Sequence, residues 1–254
     1  MKFKELDNKM RVFETAADVC VLPGMYMVAR LDGRGFTKLT KTGNFEVPFD
    51  VRFRDMMVDT TEALMNCGFE IVYAYTESDE ISLLFGLREN LFNRKLRKLN
   101  STLAGEASAR FSLAMGEVAT FDCRISQLPN ANLVVDYFRW RNEDAARNAL
   151  NSYCYWTLRK ELSARAASNF LLHKSVSSKN ELLFENGINF NEVPNWQKRG
   201  VGLYWEEYEK RAFNPVAKEE VVAQRRRVKR EFELPMKEEY GEFVRAFTGE
   251  DHGK

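Results

Sequence analysis

Apolar positions fall in short blocks broken by polar turns, and through the first half of the chain their spacing alternates between a strand-like and a helix-like period. The block Met25-Tyr26-Met27-Val28-Ala29, within Gly24 to Leu31, predicts a buried strand that ends in the polar turn Asp32-Gly33-Arg34-Gly35. Phe53, Met56, Met57, Thr60, Leu64 and Met65 recur at helical spacing and stop at Gly68, which predicts an amphipathic helix with a glycine just past its end. Glu70 to Tyr75 and Ile81 to Phe85 read as two strands joined through the acidic tip Thr76-Glu77-Ser78-Asp79-Glu80. A second helix runs from about Leu91 to Met115 with Arg94, Lys95, Arg97 and Lys98 in its opening turns, and Val118 to Arg124 follows as a strand.

The order β, α, β, β, α, β predicts an α+β fold: a split βαβ, ferredoxin-like antiparallel sheet with helices covering one face. From Asp136 onward the pattern is mostly helical, with Asn142 to Lys160 and Ala164 to His173 as helices before the irregular stretch Asn186 to Gly202. Tyr204-Trp205 and Val221 to Phe232 alternate as a late hairpin arm bearing Arg225, Arg226, Arg227, Lys229 and Arg230. Two regions follow, 1–136 and 137–254, with a soft boundary and no repeat or low-complexity linker between them.

Composition changes this picture little. With 44% hydrophobic and 30% charged residues the chain is an ordinary globular one, so disorder and collagen-like structure are excluded. Lys and Arg number 38 against 37 Asp and Glu, so any nucleic-acid surface has to be a local patch. Cys20, Cys67, Cys123 and Cys154 form no C-x-x-C pair, and the histidines are only His173 and His252, so metal chemistry has to use carboxylates. Met1 to Met10 is lysine-bearing without an apolar run, and no stretch approaches the roughly 20 apolar residues of a membrane span. A cytoplasmic protein with reduced thiols is expected.

The chemistry-bearing residues are Asp32, at the end of one strand, and Asp79, at the tip of a neighbouring hairpin. Adjacent strands lie roughly 4.8 Å apart, so the topology can bring both carboxylates to one sheet edge, where they could share a pair of Mg²⁺ ions with the Gly33 carbonyl. Asp residues at strand ends also simply close turns, and that reading stands beside the metal one. Gly33, Arg34, Gly35 and Phe36 offer close backbone approach to a triphosphate, but neither the P-loop nor the dinucleotide fingerprint is present.

Together, Arg30-Leu31-Asp32-Gly33-Arg34-Gly35-Phe36 and Tyr75-Thr76-Glu77-Ser78-Asp79-Glu80-Ile81-Ser82 resemble the signatures of the tRNA-histidine guanylyltransferase family and its reverse-polymerase relatives. The resemblance continues through Arg94-Lys95-Leu96-Arg97-Lys98, Asp136-Tyr137-Phe138-Arg139-Trp140-Arg141, Lys179-Asn180-Glu181-Leu182-Leu183-Phe184 and Gly187-Ile188-Asn189-Phe190-Asn191. It implies a palm-like sheet, addition of nucleotides in the 3′-to-5′ direction, and a homotetramer built as a dimer of dimers. It further implies that Asp32, the Gly33 carbonyl and Asp79 hold two Mg²⁺ ions, and that Ser78, Asp50 and the backbone from Asp32 to Thr37 bind the nucleoside triphosphate. Glu80 matches a supporting acid, Lys179 another matched position, and Arg30, Lys95 and Lys98 match basic residues of the ATP-dependent activation step. Considered singly, each basic residue also fits a solvated helix face.

Two departures bear on the substrate. Family members dedicated to tRNA-histidine carry His-Ile-Asn-Asn-Leu-Tyr-Asn-Thr, where this chain has Ala146-Arg147-Asn148-Ala149-Leu150-Asn151-Ser152-Tyr153, and Val47 stands where such members have lysine. The chain therefore resembles the bacterial and archaeal guanylyltransferase-like branch, which implies template-directed repair of 5′-truncated tRNA using ATP and GTP or another NTP. Contact with tRNA is expected from Arg139, Arg141 and Arg225 to Arg230, with Tyr137 or Trp140 stacking on a base or, alternatively, packing in the core. The competing readings are untemplated guanosine addition to tRNA-histidine, a palm-type nucleotide cyclase, and a non-catalytic RNA-binding module.

Overall fold

Six strands, β1 (Tyr26–Arg34), β2 (Ile71–Glu77), β3 (Glu80–Phe85), β4 (Thr120–Leu128), β5 (Val201–Asn214) and β6 (Glu219–Glu231), form one antiparallel sheet in the order β4-β1-β3-β2-β5-β6. The computed structural model describes residues 1–214 and 219–249. Around the sheet lie α1 (Phe3–Thr15), α2 (Phe36–Thr42), α3 (Val51–Met65), α4 (Leu96–Met115), α5 (Ala131–Leu158), α6 (Ala164–Leu171), α7 (Val176–Glu185), α8 (Asn195–Arg199) and α9 (Lys237–Arg245). The α+β architecture and the late hairpin arm follow the sequence pattern. His252 lies outside the described residues.

Helices cover both faces of the sheet, where the sequence pattern predicted one. Met27, Ala29 and Leu31 of β1 pack with Met57 and Leu64 of α3 and Leu99 and Leu103 of α4. The alternate residues Tyr26 and Val28 pack with Val134 and Phe138 of α5 and Tyr240 and Val244 of α9. A strand buried on both sides reads as an unbroken apolar run, so its period cannot say how many layers cover it. Phe36 ties α2 to this core, its ring centroid 5.0 Å from that of Phe111 and 6.1 Å from that of Phe53.

Element ends moved for local reasons. β1 continues through the expected turn because Asp32, Gly33 and Arg34 pair with Asp122, Phe121 and Thr120 of β4. α3 starts at Val51 because the Asp50 carboxylate accepts the Arg52 N–H, an N-cap. α4 starts at Leu96, after a turn in which Phe92, Asn93 and Arg94 all have positive φ. α5 is a single 28-residue helix from Ala131, capped by Asn130 accepting from the Leu133 N–H at 3.0 Å, so it begins well before Asn142. The irregular stretch to Gly202 contains α8. α1 buries none of its residues. No helix among the described residues is long and apolar enough to cross a membrane.

Candidate functional site

The end of β1 and the β2–β3 hairpin meet through backbone. Ser78 and Asp79 form a two-residue turn in which Ser78 has φ of 52°, and the Gly33 N–H donates to the Asp79 carbonyl at 3.0 Å. A hydrogen bond from Thr76 Oγ1 to the Glu80 carbonyl at 2.9 Å closes the hairpin from inside. Asp32 stands opposite Glu80 in the register. Burial, with the charges of Asp32 and Glu80 adding to it, raises the Asp79 carboxyl above its ordinary range, while Ser78 Oγ donates to Asp79 Oδ1 at 3.2 Å. Burial also pushes neighbouring Glu77 up to about 8, again with Glu80 contributing. Burial at this tip therefore favours the protonated carboxyls of Glu77 and Asp79 unless a cation is bound beside them.

On the α5 face of the sheet, charge is balanced in a chain of ion pairs. Arg30 bonds one oxygen of Glu80 and lies 3.3 Å from Asp32, while Arg141 of α5 bonds the other Glu80 oxygen at 2.7 Å and Asp144 at 3.3 Å. Arg141 is 5% exposed, so it serves this internal chain rather than forming the RNA contact expected from sequence. Both Glu80 oxygens are engaged by guanidinium groups.

Beside the hairpin tip opens a cavity of about 470 Å³. The hairpin residues Thr76 to Glu80 form one wall, α2 with Phe36, Thr37 and Lys41 another, and the loop from Asn44 to Asp50 a third; Asn148, Ser152 and Trp156 of α5 and Trp196 of α8 close it. Of the expected nucleotide residues, Phe36, Thr37, Asp50, Ser78 and Asp79 line this space, while Asp32, Gly33 and Arg34 end β1 and Gly35 caps α2, outside the lining. Gly33 is required by close approach, since a Cβ there would lie 2.6 Å from the Phe36 ring, and Gly35 opens α2 at φ of 75°. Asp50 contributes by holding the loop: its carboxylate accepts the Glu46 N–H at 2.8 Å and the Arg52 N–H at 2.7 Å, and Arg52 keeps it below the usual carboxylate range.

Sequence reasoning missed the aromatic lining, Phe45, Phe49, Trp156 and Trp196, and the polar Asn44, Asn148 and Ser152. Phe49 packs edge-on to Trp196 with centroids 6.0 Å apart, across residues far apart in the chain. The density of aromatics around Phe45-Glu46-Val47-Pro48-Phe49 was the available signal. Val47 lines the cavity and is 54% exposed.

Several basic residues sit elsewhere. Lys95 pairs with Asp18 at 2.8 Å, and Lys98 faces the Phe92 ring at 5.9 Å. Arg94, just before them, bonds the Met25 carbonyl at the start of β1, so about 20 Å of strand at 3.3 Å per residue separates this corner from Asp32. One protomer does not present Arg30 and these two lysines to the same phosphate. Arg139 pairs with Glu238 at 3.4 Å. On the arm, Arg227 pairs with Glu206 at 2.7 Å and Arg230 with Asp59 at 2.7 Å; Arg226 lies over the Trp205 ring at 4.4 Å, Lys229 over Tyr204 at 5.5 Å, and Arg225 stands opposite Tyr208. Lys179 lines a separate cavity of about 400 Å³ with Ser152, Tyr155 and His173.

Among the described residues, no three His, Cys, Asp or Glu side chains gather as a ready-made cation cage. The available donors are Asp32, Asp79 and the Gly33 carbonyl, which suit Mg²⁺: that ion takes one or two carboxylates and completes its octahedron with water and substrate phosphates. Burial first, and then the nearby charges of Asp32 and Glu80, disfavour a bare Asp79 carboxylate, and a divalent cation bound there would favour its ionised form.

Comparisons with known proteins identify the family and the fold. Residues 7–129 match the family described as tRNAHis guanylyltransferase, and residues 132–241 match the Thg1 C terminal domain. A tRNA(His) guanylyltransferase of Debaryomyces hansenii is 35% identical over 197 residues, covering 72% of this chain and 74% of the relative. A bacterial tRNA(HIS) guanylyltransferase (Thg1)-like protein solved in complex with ATP superposes with a TM-score of 0.74 at 26% identity, covering 96% of this chain and 99% of the other. Its structure in complex with GTP gives 0.73 at 27% identity, with the same coverage.

Proposed function

The chain belongs to the tRNAHis guanylyltransferase family and is a nucleotidyltransferase, and on that premise we propose that it adds nucleotides, directed by the opposite strand, to the 5′ end of truncated tRNA. The observation that carries this reading is the junction of Asp32 and Asp79, fixed by the Gly33 N–H to Asp79 carbonyl bond, at the wall of an aromatic-lined cavity of nucleotide size. Ala146 in place of the family histidine, and Val47 in place of lysine, remove the two side chains that the resemblance ties to untemplated addition on tRNA-histidine.

The reaction runs in two phosphoryl transfers. An oxygen of the RNA 5′-monophosphate attacks the α-phosphorus of ATP and pyrophosphate leaves, giving an adenylylated end. The 3′-hydroxyl of the incoming NTP then attacks that 5′ phosphorus, and AMP leaves as the chain gains one residue. A 5′-triphosphate end needs no activation. Two Mg²⁺ ions held by Asp32, Asp79 and the Gly33 carbonyl would orient the attacking oxygen and stabilise the leaving one. Phe45, Phe49 and the two tryptophans offer faces for a base, Ser78 and the opening amides of α2 meet phosphate oxygens, and Arg30 adds positive charge beside Asp32. The exposed apolar side chains of α1, Phe3, Met10 and Phe13, support assembly into the family's tetramer.

The test is Asp79→Ala against a panel of 5′-truncated tRNAs and full-length tRNA-histidine. The wild type is expected to extend truncated ends until the acceptor stem is fully paired, and Asp79→Ala to lose addition while RNA binding is kept. Unchanged addition by the variant would remove the metal assignment. Guanosine addition confined to tRNA-histidine would reverse the substrate assignment, and cyclic nucleotide formed without RNA would replace the reaction altogether.

A further inference from the structure

The face of α5 that meets the sheet carries two polar anchors four residues apart. Tyr137 Oη pairs with Ser82 Oγ at 3.1 Å, and Arg141 Nη2 bonds Glu80 Oε2 at 2.7 Å. One helical turn, about 6 Å, matches the spacing of two alternate strand residues, about 6.6 Å, so helix and β3 engage in step. The second anchor continues in both directions. On the sheet side Glu80 passes to Arg30, which lies 3.3 Å from Asp32; on the helix side Arg141 also holds Asp144 at 3.3 Å, which in turn accepts from Asn148 Nδ2 at 3.4 Å. Asn148 lines the cavity.

Three observations separate this chain from an ordinary ion pair. Arg141 is buried and Glu80 only 20% exposed, so the contact is largely withdrawn from solvent screening. Glu80 places each of its carboxylate oxygens against a different guanidinium group, so it links Arg30 to Arg141. The Arg30 Nε–H is buried without a hydrogen-bond partner, so the polar contacts that fix this guanidinium run through Nη2 to Glu80 and Asp32. If Glu80 moves, Arg30 loses its stronger tether, and its position beside Asp32 is no longer set.

We infer that Arg141 is a positioning residue of the reaction: from α5 it locks Glu80, and through Glu80 it sets the Arg30 guanidinium beside Asp32. This rests on the reading that Asp32 and Arg30 serve phosphoryl transfer. Arg141 itself touches no substrate. Both contacts, to Glu80 Oε2 and to Asp144 Oδ2, come from one nitrogen, Nη2, so a single donor group joins the sheet carboxylate to the helix carboxylate.

The experiment is a double-mutant cycle of Arg141→Met and Glu80→Gln, with single-turnover rate, KM for NTP, melting midpoint and salt dependence of tRNA binding measured at each corner. Arg141→Met is expected to lower the rate about 100-fold, as misplacement by about 1 Å does elsewhere, with KM near wild type. In the Glu80→Gln background the same substitution should cost nothing further, because the tether it acts through is already cut. The salt slope of tRNA binding should not change, whereas Arg225→Ala should reduce it by about one. Should Arg141→Met not fold, Arg141→Lys preserves the charge and is read in the same cycle. Rate losses that multiply across the cycle, or an unchanged rate with a reduced salt slope, would overturn the inference. A wild type inert on truncated tRNA, or an active Asp79→Ala, would instead refute the underlying reading; an active wild type, a dead Asp79→Ala and a fully active Arg141→Met would refute this inference alone.

Discussion

Gly200→Ala tests how the second half of the chain supports the hairpin tip. Gly200 has φ of 71° and ψ of −164°, a region open essentially to glycine alone. Holding alanine there costs about 1–3 kcal/mol of backbone strain. The added methyl would also lie 2.5 Å from the Thr76 carbonyl oxygen and 2.8 Å from the Tyr75 ring, both in β2, and forcing extra volume into such packing costs about a further 1–3 kcal/mol. The sum is about 2–6 kcal/mol, which for a chain of this size lowers the melting midpoint by roughly 5–20 °C. The direction of relief matters for activity. Thr76 lies two residues before Ser78, pairs with Val201, and bonds across to Glu80, so β2 moves away from β5 only by shifting the turn that carries Asp79. Thermal denaturation followed by circular dichroism, with nucleotide addition assayed well below the midpoint, should show both losses. A midpoint within about 2 °C of wild type would show that the β5 entry relaxes freely and that the tip is not braced from this side.

Glu77→Gln should change how stability depends on pH in magnesium-free buffer. The native state keeps the Glu77 proton up to about pH 8, while the unfolded chain releases it near the ordinary glutamate value. Between those values the native state binds more protons, so wild-type stability falls as pH rises, and the glutamine variant should lose this slope and gain on the wild type towards pH 8; parallel denaturation curves from pH 5 to 8 would refute it. Asp50→Ala removes the cap of α3 and leaves the Glu46 N–H without its acceptor, an expected loss of about 2–3 kcal/mol, together with a raised KM for NTP as the cavity loop loosens. An unchanged KM would mean that the loop is held from elsewhere.

The palm-like sheet was legible because its strands and first two long helices each carry their own period, and Asp32 and Asp79 were legible because topology alone brings a strand end beside a hairpin tip. The second helical layer was not, since Tyr26 and Val28 look the same in sequence whether they meet a helix or solvent-shielding side chains. Arg141 reads as a surface cation until the structure supplies Glu80, sixty-one positions away, on its far side. The cavity's aromatic rim was hidden for a related reason: Phe49 and Trp196 acquire meaning only from each other. Lys95 and Lys98 were placed near the chemistry by motif order, and the distance along β1 is invisible to that kind of matching.

One helix decides how this protein can be cut. Because Val134, Phe138 and their α9 neighbours cover one side of the inner strands β1, β2 and β3, a fragment ending near residue 129 would expose Tyr26, Val28, Tyr73 and Leu84 to water all at once. On this packing both matched segments are expected to fold together, and attempts to express the half that holds Asp32 and Asp79 by itself should yield aggregate rather than a minimal transferase.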